Sequence, residues 1–179
     1  MRLEPPRRAP DNEQKLMVLA CIERLGPCTE MQLLQFLFEH DLMNYFEMMF
    51  ALNDLCDGGQ AARVKVNGET RCEVTEAGRE ALGLFGGRVP RSLMELLEKE
   101  GVRWRQRFEQ EAQSSHSLEK TERGDYRLNL TLKENEEELM HLGLTLPTRE
   151  LARQVAEKWP GRAGKIYAEI IRLLSEEKG

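Results

Sequence analysis

Residues 61–79 read AARVKVNGETRCEVTEAGR: two short runs of mixed apolar and charged residues meet at Asn67-Gly68, and Thr75-Glu76-Ala77-Gly78-Arg79 follows at once. Asn-Gly between two such runs is a strong hairpin signal, because tight hairpin turns need positive φ. The side chains sort best if the loop is the three residues Val66-Asn67-Gly68, with Gly68 left-handed and Lys65 opposite Glu69. That register collects Ala62, Val64, Thr70, Cys72 and Val74 on an inner face and Arg63, Lys65, Glu69, Arg71 and Glu73 on an outer one. Thr75 then caps a short helix to about Leu84, which Gly86-Gly87 breaks.

Upstream, three helices are signalled by their starts. Asp11 with Gln14, Thr29 with Gln32 and Asn44 with Glu47 each have the spacing of a capping box, in which a side chain and a backbone N–H three residues apart satisfy each other reciprocally. The first helix runs to about Leu25 and stops at Gly26-Pro27. The second runs to about His40, with Met31, Leu34, Leu37 and Phe38 expected in the core. The third runs from Asn44 to about Cys56 and ends at Gly58-Gly59, with Tyr45, Met48, Met49, Leu52 and Leu55 at helical spacing. Three helices, a hairpin and a restarting helix are the order of a winged helix-turn-helix over residues 11–86, preceded by a basic, proline-rich arm at 1–10.

Downstream, a long helix from Pro90 to about Ala112 carries Leu93, Leu97, Trp104 and Phe108 on one stripe. Glu95/Lys99, Arg105/Glu109 and Arg107/Glu111 stand four residues apart on its wet side. We read residues 87–115 as a linking helix and its stripe as a candidate dimerisation surface. Tyr126, Leu128, Leu130 and Leu132 then alternate with polar residues, as do Met140, Leu142, Leu144 and Leu146. Each alternation reads as a half-buried strand. A weaker strand near 117–123 joins the first through Gly124-Asp125. A helix from Pro147-Thr148 to about Trp159 and another after Pro160-Gly161 complete residues 116–179. The expected fold is therefore α+β: an N-terminal winged helix-turn-helix, a long linking helix, and a C-terminal three-stranded antiparallel sheet covered by two helices.

The stretch Cys28-Thr29-Glu30-Met31-Gln32-Leu33, with Asn44-Tyr45-Phe46 and Thr75-Glu76-Ala77-Gly78-Arg79, resembles a bacterial family of unknown function with an N-terminal winged helix, similar in architecture to the PadR and MarR groups. The resemblance covers nearly the whole chain. It implies a transcriptional regulator and supplies no catalytic residue, cofactor or ligand.

The third helix sits where such folds read DNA, yet residues 44–56 hold no Lys or Arg. Its outward positions are taken as Asn44, Glu47, Ala51 and Asp54, and the first two are already occupied by the cap. Residues 11–86 hold six Lys and Arg against thirteen Asp and Glu, a net charge of −7. Phosphate neutralisation supplies much of DNA affinity, so the charge opposes what the fold implies. If double-stranded DNA is the partner, Arg63, Lys65 and Arg71 on the hairpin are expected on phosphates, with Asn44 and Tyr45 nearest the bases. The arm (Arg2, Arg7, Arg8) and the patch Arg103-Trp104-Arg105-Gln106-Arg107 are the other basic elements. The first expectation is a dimeric transcriptional regulator, its C-terminal unit serving assembly or sensing a small-molecule or protein effector. The alternative is a protein-interaction module that has kept the fold and lost DNA.

Other classes have less behind them. His40, His116 and His141 stand on separate elements, and no nucleophile–base set, phosphate loop or metal motif is present, so an enzyme is not expected. Cys21, Cys28, Cys56 and Cys72 show no CxxC pair; a zinc site from Cys56, Cys72 and His40 is conceivable, but buried free thiols are the simpler reading and no cofactor is expected. The acidic run 134–138 lacks the ligand alternation and glycine bend of a calcium loop and reads as a solvated turn. Apolar content of 40%, charged content of 32% and a net charge of −5 describe a globular chain without a membrane span. With no apolar core in its first ten residues to make a secretory signal, it is expected in the cytoplasm.

Overall fold

The computed structural model describes residues 11–66, 68–134 and 137–175. It divides into two compact units, residues 1–105 and 106–179.

The first unit is organised by its helix starts. α1 (Asp11–Leu25) is followed by α2 (Glu30–Glu39) and α3 (Tyr45–Asp57). Thr29 and Asn44 form the capping boxes read from the sequence. The Thr29 hydroxyl accepts from Gln32 N–H at 3.2 Å while the Gln32 side chain accepts from Thr29 N–H at 3.0 Å. Asn44 and Glu47 do the same at 3.0 Å each way. Residues 16–22 of α1 are buried without interruption. A helix that is apolar all round lies inside its unit, and α1 accordingly packs against α3, α4 (Glu76–Phe85), the hairpin and the 3₁₀ turn Gly86–Arg88.

The hairpin joins β1 (Ala61–Val66) to β2 (Glu69–Val74). Val66 pairs with Glu69 and Lys65 with Thr70, so the loop is Asn67-Gly68 and not the three-residue loop that the alternation favoured. Gly68 does have positive φ, +81°; Asn67 itself lies outside the described residues. In this register Ala61, Arg63 and Lys65 share a face with Val74, Cys72 and Thr70. Buried residues stand on both faces near the base of the hairpin, because β2 also meets a third segment. Cys28 and Cys72 exchange backbone hydrogen bonds of 3.3 and 2.7 Å. Arg71, expected on the outer face, is buried with its guanidinium bonded to the Pro27 carbonyl at 3.3 Å and to Glu69 at 3.1 Å. Hydrogen bonding lets this charged side chain be buried on a face that the alternation assigned to solvent.

Thr75 caps α4 through Gly78 N–H at 3.2 Å and anchors it to the hairpin base by donating to the Gly59 carbonyl at 2.6 Å. Gly78 explains the sequence Thr-Glu-Ala-Gly: a Cβ there would overlap the Gln60 carbonyl oxygen and crowd Val74.

α5 (Arg91–Gln113) contains the division between the units, so its first part belongs with the first unit. Trp104 stands edge-on to Phe36 at 5.4 Å, Leu93 and Leu97 are buried, and the Arg105 guanidinium donates to the Arg24 carbonyl at 2.6 Å in the last turn of α1. The Arg107–Glu111 pair forms as spaced, whereas Arg105 is drawn to the α1 terminus, where orphan carbonyls attract a cation.

In the second unit β3 (Ser114–Lys120), β4 (Tyr126–Glu134) and β5 (Glu137–Leu146) form an antiparallel sheet in the order β3-β4-β5. One helix, α6 (Arg149–Ser175), packs across all three strands. The expectation of two helices separated at Pro160 is corrected: Pro160 lies inside a continuous 27-residue helix. Ala152, Ala156, Trp159 and Ala163 stay buried in phase through the proline, and the last three meet Leu128, Leu130 and Leu132 in one core. Trp159 Nε1–H also donates to the Thr131 carbonyl at 3.2 Å. Contacts on both sides of the proline offset its missing N–H.

Candidate functional site

α3 is the element whose exposed side the sequence reading misjudged. Met48, Ala51, Leu52 and Leu55 form its buried seam. Ala51, expected to face outward, is therefore core. Opposite the seam stand Phe46, Phe50, Asn53 and Asp57, and Phe46 and Phe50 are 70% and 73% exposed. Tyr45, read as part of the apolar stripe, is 49% exposed and lies edge-on to Phe46 with ring centroids 5.6 Å apart. α2 is offset in the same way. Gln32, Leu33, Phe36 and Leu37 are buried, while Met31 and Phe38, both expected inside, are 69% and 73% exposed.

One signal in the sequence pointed to this. Residues 45–57 hold Tyr45, Phe46, Met48, Met49, Phe50, Ala51, Leu52, Leu55 and Cys56, more apolar side chains than one seam of a four-turn helix absorbs. Once Met48, Leu52 and Leu55 are placed in the core, 100° per residue puts Phe46 and Phe50 on the far side.

The candidate DNA contacts fall in different settings. The Asn44 side chain is held by its cap. Arg63 Nε donates to Glu30 Oε1 at 2.7 Å and its Nη2 to Asn53 Oδ1 at 2.7 Å, tying the hairpin to α2 and α3. The hydrogen bond that Arg63 donates to the Glu30 carboxylate pushes the Arg63 pKa further up. Arg71 is buried, as above, and its Nε has no hydrogen-bond partner. Lys65 is exposed on the hairpin. The candidate dimerisation residues Leu93, Leu97, Trp104 and Phe108 are all buried in the single chain, so that stripe is consumed by the protomer's own packing.

Clefts open among the described residues of the first unit. One of about 560 Å³ is bounded by Glu23, Arg24, Leu82, Val89, Met94 and Arg105; another of about 240 Å³ lies among Lys15, Leu19, Leu55, Gln60, Phe85 and Arg88. In the second, Lys15 is neutralised by Asp54 at 2.7 Å. Neither brings a nucleophile to a base. Cys21, Cys28 and Cys72 are buried free thiols and Cys56 is half-buried. Burial pushes all four up, Cys28 to about 12 and Cys72 to about 11, so they are poor nucleophiles near neutral pH. His40 lies against Phe36 and Trp104, with Nε2 3.4 Å from Glu100. Among the described residues no group of three or more His, Cys, Asp or Glu is placed to hold a metal ion, and no helix is long and apolar enough to cross a membrane.

Among the described residues these features define a mixed α+β protein with six α-helices and two antiparallel sheets, and an aromatic ridge is exposed on α3. The chain belongs to a family of domains of unknown function, DUF4364, whose model matches residues 14–174. No curated protein and no solved structure matches it.

Proposed function

We propose that this chain is a winged-helix protein-interaction module, in which the third helix meets another protein and not DNA. The observation that carries the reading is the pair Phe46 and Phe50, each more than two-thirds exposed where a DNA reader would present hydrogen-bonding and cationic side chains. The winged-helix reading is supported by the order of three helices, an Asn-Gly hairpin and a helix capped at Thr75, with Cys28 bridged to Cys72 on the free edge of β2. Solvent-exposed aromatics on a rigid helix are the residues that anchor protein interfaces, since they gain most from leaving water.

A second reading, a DNA-binding transcriptional regulator, is favoured by one observation: Lys65, Val66 and Gly68 are exposed on the hairpin, with Arg63 nearby. In that reading the second unit would serve assembly or effector sensing. A homodimer would use a surface other than the α5 stripe; the end of α6, with Ile171, Leu173 and Leu174 exposed, is one such surface.

Titration of the whole chain with random duplex DNA over a range of salt separates the two. The interaction reading expects no binding at low salt. Binding that weakens steeply with salt, and further with Arg63→Ala plus Lys65→Ala, would establish the regulator instead.

A further inference from the structure

Resting on the interaction reading above, we infer that the α3 ridge receives a cationic amphipathic segment of a partner protein: apolar side chains at helical spacing, with Lys or Arg between them. Phe46 and Phe50 are one helical turn apart, and Tyr45 widens the ridge by its edge-on contact with Phe46. Arg63 bonds to both Glu30 and Asn53, which brings the first turn of α2, with the exposed Met31, beside the third turn of α3. The ridge itself is Tyr45, Phe46 and Phe50, on a helix braced by the hairpin through Asn53.

Charge decides what covers it. Residues 30–57 contain six carboxylates (Glu30, Glu39, Asp41, Glu47, Asp54 and Asp57) and no Lys or Arg. Glu30 is neutralised by Arg63 and Asp54 by Lys15, while Glu39, Asp41 and Asp57 stand exposed. A second copy docking face to face would bring these like charges together, because a two-fold contact places the same patch on both sides. Single-stranded nucleic acid can stack on aromatic rings but needs a cationic groove for its backbone, and an anionic lipid surface is repelled. A helix with apolar anchors and flanking cations satisfies both the ridge and its rim, in the manner of helix-in-groove recognition.

The test is to pan random peptides displayed on phage against the full chain. The enriched peptides are expected to carry net positive charge and apolar residues at i, i+3 and i+4. Synthetic copies should bind about tenfold or more weakly to Phe46→Ser/Phe50→Ser. Glu39→Lys/Asp57→Lys, which leaves the rings in place, should weaken them as well, and added salt should do the same. Circular dichroism melts of both variants should match the parent, because the changed side chains are exposed. Enrichment of acidic or uncharged peptides that still need Phe46 and Phe50 overturns the inference and leaves the interaction reading standing. No enrichment, peptides indifferent to Phe46→Ser/Phe50→Ser, or a dimer of the chain abolished by that variant also overturns it. Salt-sensitive duplex DNA binding that the same variant weakens removes the interaction reading itself.

Discussion

Arg63 on β1 and Glu30 at the start of α2 are joined at 2.7 Å, and the same guanidinium holds Asn53 of α3. A hairpin cation that would be assigned to DNA phosphate is thereby part of the brace between the hairpin and two helices. Both side chains are about a third exposed, so the pair should contribute modestly. A double-mutant cycle of Arg63→Ala and Glu30→Gln in urea denaturation is expected to give a coupling of about 0.2–1 kcal/mol at low salt, shrinking as salt is added. Zero coupling at low salt would mean that the brace is not formed in solution.

Gly78 is required by proximity and not by φ. Gly78→Ala should lower stability by about 2 kcal/mol or more, since the new methyl meets the Gln60 carbonyl. Gly83→Ala on the same helix meets nothing and should raise stability by about 0.5–1 kcal/mol. Thermal melts that rank the two variants the other way would place α4 differently against the hairpin base.

Trp104 should behave as core. Trp104→Ala removes a buried indole that stands edge-on to Phe36 and is expected to cost about 3–5 kcal/mol. Light scattering combined with denaturation distinguishes this from a dimer contact: a change in oligomeric state with unchanged unfolding would restore the α5 stripe as an interface.

Pro160 tests the continuity of α6. If one helix passes through it, Pro160→Ala adds a donor to the ladder and raises the helical signal and the melting temperature. Were two helices to meet there, as the sequence suggested, the substitution would loosen the unit by extending the first helix past its end. Trp159→Phe should cost about 1–2 kcal/mol through the lost hydrogen bond to the Thr131 carbonyl and the smaller ring.

The buried thiols give stability a pH dependence at the alkaline end. Their folded pKa values lie above the ordinary value of 9.0, at about 12 for Cys28 and about 11 for Cys72, because burial opposes the thiolate. The unfolded chain therefore releases these protons first. The stabilisation is complete below pH 9 and is lost as pH rises towards 11–12, by up to about 1.4 kcal/mol per pH unit for each thiol. Urea midpoints measured on both sides of pH 9 should fall on the alkaline side, and Cys72→Ala should flatten the slope. With a thiol reagent near neutral pH, Cys56 should react before the other three, being the most accessible.

What was legible in the sequence depends on the range of the physics involved. The Thr29, Asn44 and Thr75 caps were readable because each is settled between residues three apart. The strands around Leu128–Leu132 and Met140–Leu146 were readable because their alternation is strict. The α2 and α3 faces were not, because a helix with apolar residues on two sides leaves the choice of seam to its neighbours. Ala51 went in and Phe46 and Phe50 stayed out.

The sequence by itself determined the number and order of elements as far as β5, their starts, and an acidic segment from residue 30 to 57 without a cation, since these follow from local hydrogen bonding and composition. Only the tertiary structure decided the hairpin register, the single helix through Pro160 and the fates of the candidate cations. The reason is the same in each case. Arg71 is buried by a carbonyl 44 residues away, Arg63 is claimed by a carboxylate 33 residues away, and Pro160 is carried by a tryptophan bonded 28 residues back along the chain. Partners that distant leave no periodicity in the chain, yet they fix which side chains remain at the surface to act.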